Sequence, residues 1–332
     1  MTQTQALKQY NLVWEGQSLN SSESMPCGGG DIGLNVWVEN GDICLYIARS
    51  GTFDENNSMP KLGRIRIKCS PNSFEGRIFR QELDLKTGSI IISGQNGKHT
   101  TEVRVWVDVF SPVIHAEMTS NQKINIEVIY ETWRFEDRLL QENESFGNSY
   151  KWAPPEGLKT KKDEIGFQDS AVLFYHRNTG ETVFDVSVRQ QTMDSVKHLM
   201  FDPLKNLTFG GKLEGDDFIA AGNTEGEHLS FGYKGWKIES KSPVEEQSFE
   251  IYLHTGQYEN KTDWDSALES LISECKKKKR TARSETLTWW QNYWERSFIY
   301  INPENRNEDE PEWQVGRNYQ LFRYMLGCNA YG

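Results

Sequence analysis

Cysteine is sparse in this 332-residue chain. Cys27, Cys44, Cys69, Cys275 and Cys328 form no C-x-x-C and no metal-ligand spacing, and their number is odd. No disulfide framework is implied, and free, mostly buried thiols are expected. Positive charge is also short, with 37 Lys and Arg against 48 Asp and Glu and a net charge of −11. Nucleic acid and anionic membranes select basic surfaces, so neither is expected as a partner. The strongest basic run, Lys276 to Arg280, lies in a helical pattern and reads as a solvated face. No window could span a bilayer, and the opening MTQTQALKQYNLVW lacks the apolar stretch a signal peptide needs. Fixed-period repeats, nucleophile elbows and phosphate loops are missing, which disfavours propellers, solenoids, serine hydrolases and nucleotide binders.

Aromatic side chains are abundant instead: 11 Trp, 13 Tyr and 16 Phe. Their flat faces with polar edges suit β cores and sugar-stacking surfaces alike. The length predicts about two domains. Gly28, Gly30 and Gly33 look like a dinucleotide fingerprint, but they lead into a strand and not a helix. Leu34, Val36 and Val38 alternate with Asn35, Trp37 and Glu39, Asn40-Gly41 closes a tight turn, and Ile43, Leu45 and Ile47 resume the alternation. The glycines are expected to let the backbone bend tightly into a sheet.

The same period-2 pattern recurs over Arg64 to Lys68, Ile78 to Leu85, Ser89 to Gly94, His99 to Phe110, Val113 to Met118 and Lys123 to Thr132. It returns at Ala171 to Arg177, Thr182 to Gln190, Phe218 to Ala221, Glu227 to Tyr233, Trp236 to Ser240 and Gln247 to His254. Trp133 to Phe167 is a polar insertion without period, and Lys197 to Gly211 reads as irregular. More than a dozen short strands over about 230 residues predict a large antiparallel sandwich of two stacked sheets.

Near Thr262 the period changes. Asp263 can cap a helix in which Trp264, Leu268, Leu271, Cys275, Ala282, Thr286, Trp290, Tyr293 and Ser297 recur at mostly three- and four-residue steps, as one long helix or two end to end. An extended piece, Phe298 to Ile301, and a polar loop precede a last helix near Pro311, with Val315, Tyr319, Phe322 and Leu326 on one side.

The MPCGGGDIGLNVWVENGD opening, the sandwich, the WWQNYWERS helix and the final NYQLFRYMLGCNAYG occur in an order that resembles bacterial glycoside hydrolases. In these, an N-terminal β-supersandwich of the galactose-mutarotase-like kind is joined by a helical linker to an (α/α)6 toroid. The nearest likeness is to the α-L-fucosidase-type family and to an uncharacterised relative, a domain of unknown function at the front of secreted glycosidases. Pro26, Gly28, Gly30, Asp31, Ile32 and Gly33, then Phe53, Asp54, Glu55 and Asn56, stand where the fucosidase family has its own glycine-rich and acidic motifs. Cys27, Gly29 and Asp31 depart from that pattern and favour the uncharacterised relative. The resemblance implies a supersandwich over 1–258, a linker over 259–301 and the start of a truncated toroid over 302–332. It implies a periplasmic or secreted setting and a non-catalytic front domain, because the acid and base of such enzymes sit on the toroid. The missing toroid or a dimer partner would cover the C-terminal helices. No catalytic residue, cofactor or metal carries over.

The residues by themselves agree. Inverting glycosidases need two carboxyl groups spaced around a water. Asp54-Glu55, Glu136-Asp137 and Asp216-Asp217 are neighbours that point apart on a strand, and they read as solvated loop acids. Histidines 99, 115, 176, 198, 228 and 254 lack a second ligand at metal spacing and read as satisfied sheet or surface residues. What remains is a carbohydrate-binding candidate set: Trp37 and Tyr46 on the outward hairpin face, Phe53, Asp54, Glu55 and Asn56 in the loop, and Trp133, Arg134 and Trp152 in the insertion. Aromatic faces stack on sugar rings, and Asp, Asn and Arg pair with hydroxyls. The alternatives are that Trp37 packs against the sandwich or linker helix, and that the chain is an assembly module without ligand.

Overall fold

A computed structural model describes residues 3–141, 143–297 and 299–329. A short helix, α1 (Gln3–Lys8), leads to β1 (Leu12–Trp14). The glycine cluster is itself a strand, β2 (Met25–Gly29), which turns at Gly30 and Asp31 into β3 (Ile32–Glu39). Asn40 and Gly41, at φ of 52° and 80°, close the turn into β4 (Asp42–Arg49), as a two-residue hairpin requires. Gly28 is fixed by crowding, since a Cβ there would lie 2.8 Å from the Ile32 carbonyl and 3.0 Å from Cys328 Cβ.

The strands continue as β5 (Gly63–Ser70), β6 (Ile78–Asp84), β7 (Ser89–Asn96), β8 (His99–Val107), β9 (Val113–Thr132), β10 (Arg138–Leu139), β11 (Lys159–Thr160), β12 (Glu164–Gln168) and β13 (Ala171–Arg177). A helix, α2 (Val183–Gln190), precedes β14 (Leu207–Glu214), β15 (Phe218–His228), β16 (Phe231–Ser240) and β17 (Val244–Gln257). Fifteen of these strands form one hydrogen-bonded system, antiparallel throughout, and β10 pairs with β11 alone.

β9 is the seam between two layers. Its first half pairs with β8 and β17 in the layer ordered β1-β6-β7-β8-β9-β17-β14-β13-β12. Its second half pairs with β5 and β16 in the layer β2-β3-β4-β5-β9-β16-β15. Leu34, Val36, Leu45 and Ile65 from one layer meet Ile90, Ile92, Val103 and Val105 from the other in a single core. The Gln81 amide donates across it to the Val36 carbonyl at 3.0 Å. This is the two-layer antiparallel sandwich the alternation predicts.

Several sequence expectations need correction. The runs 113–118 and 123–132 are one 20-residue strand. Thr182 to Gln190 is helical and not extended. Its valines favour a strand, but the Thr182–Asp185 capping box and burial of Val188 override that propensity. Glu227 to Tyr233 spans a hairpin tip, with Leu229 and Ser230 at φ of 52° and 67°. Within 197–211 a 3₁₀ turn (Asp194–Leu199) ends and β14 begins. Phe298 lies outside the described residues, and 299–301 form no strand.

The chain then runs as one 34-residue helix, α3 (Lys261–Trp294), capped by Asn260 and not Asp263, because the Asn260 side chain accepts from the Asp263 N–H. Its first half lies on the outside of the β17 layer, with Trp264, Leu268 and Ile272 on Val113 and Tyr252. The basic run is not wholly solvated: Lys276 pairs with Glu214 at 2.5 Å and Lys279 with Glu250 at 2.8 Å, clamping helix to sheet. Farther on, Trp290 fills the space above Gly88, and the Trp294 indole donates to the Leu85 carbonyl at 2.7 Å. The last helix, α4 (Pro311–Cys328), packs Trp313, Tyr324 and Cys328 into the main core. Tyr324 stacks on Trp290 and donates to the Pro26 carbonyl at 3.3 Å, so the final helix seals the glycine-rich hairpin. The side predicted to carry Val315, Phe322 and Leu326 faces outward and is exposed. Among the described residues no helix is long and apolar enough to cross a membrane.

Candidate functional site

The loops at one end of the sandwich converge on Phe53 to Asn56. Asp54 folds this loop on itself, its Oδ1 accepting from the N–H groups of Asn56 (3.0 Å) and Ser58 (2.8 Å). Glu55, 4% exposed, points inward to His176 Nε2 at 3.0 Å. His176 Nδ1 meets Asp163 at 3.1 Å, and Arg134 grips both oxygens of Asp163 at 2.9 and 2.7 Å. Arg134 also donates to the Lys61 carbonyl, and the Asn56 amide to the Lys159 carbonyl, both at 2.8 Å. Alternating charges thus tie the β4–β5 loop, the insertion and β13 together in a buried chain.

Electrostatics follow from that order. Burial pulls the His176 pKa down, but the hydrogen bonds it donates to Asp163 and Glu55 outweigh it and raise it to about 9. Burial raises both partners as well, yet His176 holds Glu55 low and Arg134 with His176 holds Asp163 low. Asp54 goes the other way, raised by burial. Asp54 and Glu55 are therefore not solvated loop acids, and the four loop residues brace the fold instead of facing outward.

A second group covers the outside of the β2–β5 layer. The β15–β16 hairpin curls over it so that His228 meets the Tyr46 hydroxyl at 2.6 Å and lies beside the rings of Trp37 and Trp133. Trp37 is 0% exposed and Tyr46 8%, so neither offers a free ring face for stacking. Packing is the reason: Trp37, Cys44 and Tyr46 form a small core of their own with Trp133 against them. Burial, then the nearby Arg64 charge, lowers the His228 pKa to about 4 and keeps its ring neutral. Arg64 pairs with Glu131, and its guanidinium lies over the rings of Trp133 and Tyr233. Trp152 stands apart, 85% exposed on the insertion beside Phe146, with Lys151 over its ring at 4.8 Å.

The nine candidates thus fall into three places. Sequence reasoning missed His176 and Asp163. A signal existed for the first, because His176 continues the inward period of Val172 and Phe174 on β13, a polar side chain at a core position. Asp163 gave none, since it sits in an aperiodic insertion.

The braced loops support an open cleft of about 1040 Å³ between the α2 region and the β17–α3 turn. The Glu55 carbonyl accepts from Val183 N at 2.8 Å, and the Asn178 amide holds the carbonyls of Phe53 and Leu204, both at 3.0 Å. Across the cleft, Gln257 donates to the carbonyls of Asp202 and Lys205 at 2.8 and 2.9 Å. Phe184, Phe201, Tyr258, Asp194, Lys205 and Glu259 are among the side chains lining it. Among the described residues no cluster of His, Cys, Asp and Glu could hold a metal ion.

No curated protein matches this chain. A solved structure described as "Putative kojibiose phosphorylase from human microbiome" is similar at a TM-score of 0.48 and 10% identity. The similarity covers 97% of this chain and 42% of that one, so the chain spans less than half of that protein's length. A family model matches residues 13–299, from β1 to beyond the end of α3, and by that match the chain belongs to the family described as a domain of unknown function, DUF5703, in its N-terminal part.

Proposed function

We propose that this chain is the non-catalytic front module of a glycoside-hydrolase-type enzyme for oligosaccharide or polysaccharide breakdown, supporting a helical catalytic domain of the toroid kind. The observation that carries this reading is α4. One side is fixed into the core by Trp313, Gln320 and Tyr324, while Val315, Phe322, Met325 and Leu326 are exposed on the other. The core side is already filled, so the outward apolar residues have no partner within it, and an exposed apolar stripe on a surface marks a contact site. The acids near the opening hairpin support the same reading, because Glu55 and Asp163 are neutralised by His176 and Arg134 and so are not available as a spaced acid and base.

The test is activity. Purified 1–332 should be inert on aryl glycosides, and robust turnover that one carboxylate substitution abolishes would sink the proposal. A dimer built on the same α4 face is the competing arrangement, and a monomer by light scattering removes it.

A further inference from the structure

We propose that the cleft between α2 and the β17–α3 turn is a binding site for neutral oligosaccharides. This rests on the carbohydrate reading above and names a site for it. At about 1040 Å³ the cleft lies at the upper end of the roughly 300–1,000 Å³ of small-molecule sites, room for several linked sugar rings. Its walls are preorganised. Beyond the amide ties of Asn178 and Gln257, Arg177 donates to the carbonyls of Tyr258 and Glu259 at 2.9 and 3.0 Å, and Tyr258 is pinned by His254 at 2.6 Å. Rigid walls lower the ordering cost of binding.

Its lining has the mixture that polyhydroxyl ligands use. Phe201 is 77% exposed, and Phe184 and Tyr258 are half-buried rings on the cleft wall, surfaces for the C–H faces of sugars. The side chains of Asp194, His198 and Glu259 make no hydrogen bond or ion pair among the described residues, and they can accept from and donate to hydroxyls. Charge selects the class. Asp185 is cancelled by Lys197 at 2.5 Å, which leaves Asp194, Asp202 and Glu259 against Lys205 and the Arg177 guanidinium behind the Tyr258–Glu259 wall. That acid excess repels uronates and phosphorylated sugars and leaves neutral chains as the fitting ligands.

The experiment is calorimetric titration of the full 332-residue chain with neutral gluco-, galacto- and xylo-oligosaccharides and with oligouronates. The expected result is binding of at least one neutral series and none of the uronates. Phe201→Ala and Asp194→Ala should each weaken it tenfold or more with the melting temperature unchanged, because both side chains are exposed. Trp152→Ala should leave it intact. Flat titrations across the panel, preference for uronates, or loss on Trp152→Ala with Phe201→Ala silent would overturn the cleft assignment. These outcomes are separate from the aryl-glycoside assay: an inert chain that binds no sugar loses only the cleft, and a chain with turnover loses the front-module reading.

Discussion

His176 sits between two carboxylates in the core of the loop end, and its protonation sets how that end responds to pH. Its folded pKa, about 9, lies above the ordinary 6.5, so its contribution to stability is complete below about 6.5 and is lost as pH rises through about 9. Glu55 and Asp163 are held low, so their contribution is present above their ordinary values and is lost as pH falls through the depressed ones. The network should therefore stabilise best between the ordinary carboxylate values and about pH 6.5, with the His176 contribution declining from there to about pH 9. Removing one member of a buried ionic set costs about 3–5 kcal/mol, because the other members stay buried and unpaired. His176→Gln should lose an amount of that order below about pH 6.5, and its deficit relative to the parent should shrink as pH rises from there to about 9. Urea melts at a series of pH values measure it, and a deficit independent of pH would mean that His176 acts by shape alone.

At the scale of the element, α4 separates two kinds of apolar residue on one helix. Tyr324 stacks on Trp290 and reaches the glycine-rich hairpin, so Tyr324→Ala removes packing at the junction of α3, α4 and β2. A cost of about 3–5 kcal/mol is expected, as for other large aromatic deletions in cores. Phe322 on the opposite side is exposed, and Phe322→Ser should change stability by no more than about 0.5 kcal/mol. Denaturant titration of both variants decides it. Equal and large losses would show that the outward face already has a partner within the chain. Sequence periodicity found the apolar stripe Val315, Phe322, Leu326 but had no means to say that Gln320 and Arg323 face the core. Gln320 does so because its amide meets the Ile299 carbonyl at 2.5 Å, and Arg323 because it lies over Trp294 and donates to Ser297.

Among the described residues one large core runs from the sandwich into the C-terminal helices, with two small satellite clusters outside the sheets. Trp290 and Trp294 of α3 and Trp313 and Tyr324 of α4 join the same cluster as the inward faces of both sheet layers. The C-terminal helices are thus built into the sandwich, and α3 should open with it. Native-state hydrogen exchange should give amides of residues 286–294 the same opening free energy as those of β3 and β9. Much faster exchange in the helix would mark the C-terminal part as a separate unit.

The strands of the opening hairpin, the Asn40-Gly41 turn, the long helix after Lys261 and the last helix after Pro311 were all legible in the chain, because each is written in local periods and turn chemistry. So was a tight bend at the glycine cluster into a sheet, although the fact that Met25–Gly29 is itself a strand, crowded against Cys328 at the far end of the chain, was not. Tertiary structure alone decided which polar residues are buried together. Glu55 and His176 are 121 positions apart, and Trp37 is closed over by a hairpin nearly two hundred residues downstream. Local sequence fixes which face a side chain takes on its own strand. Whether that face meets solvent, another layer or a charge depends on long-range packing, which carries no period for a reader of the sequence to find.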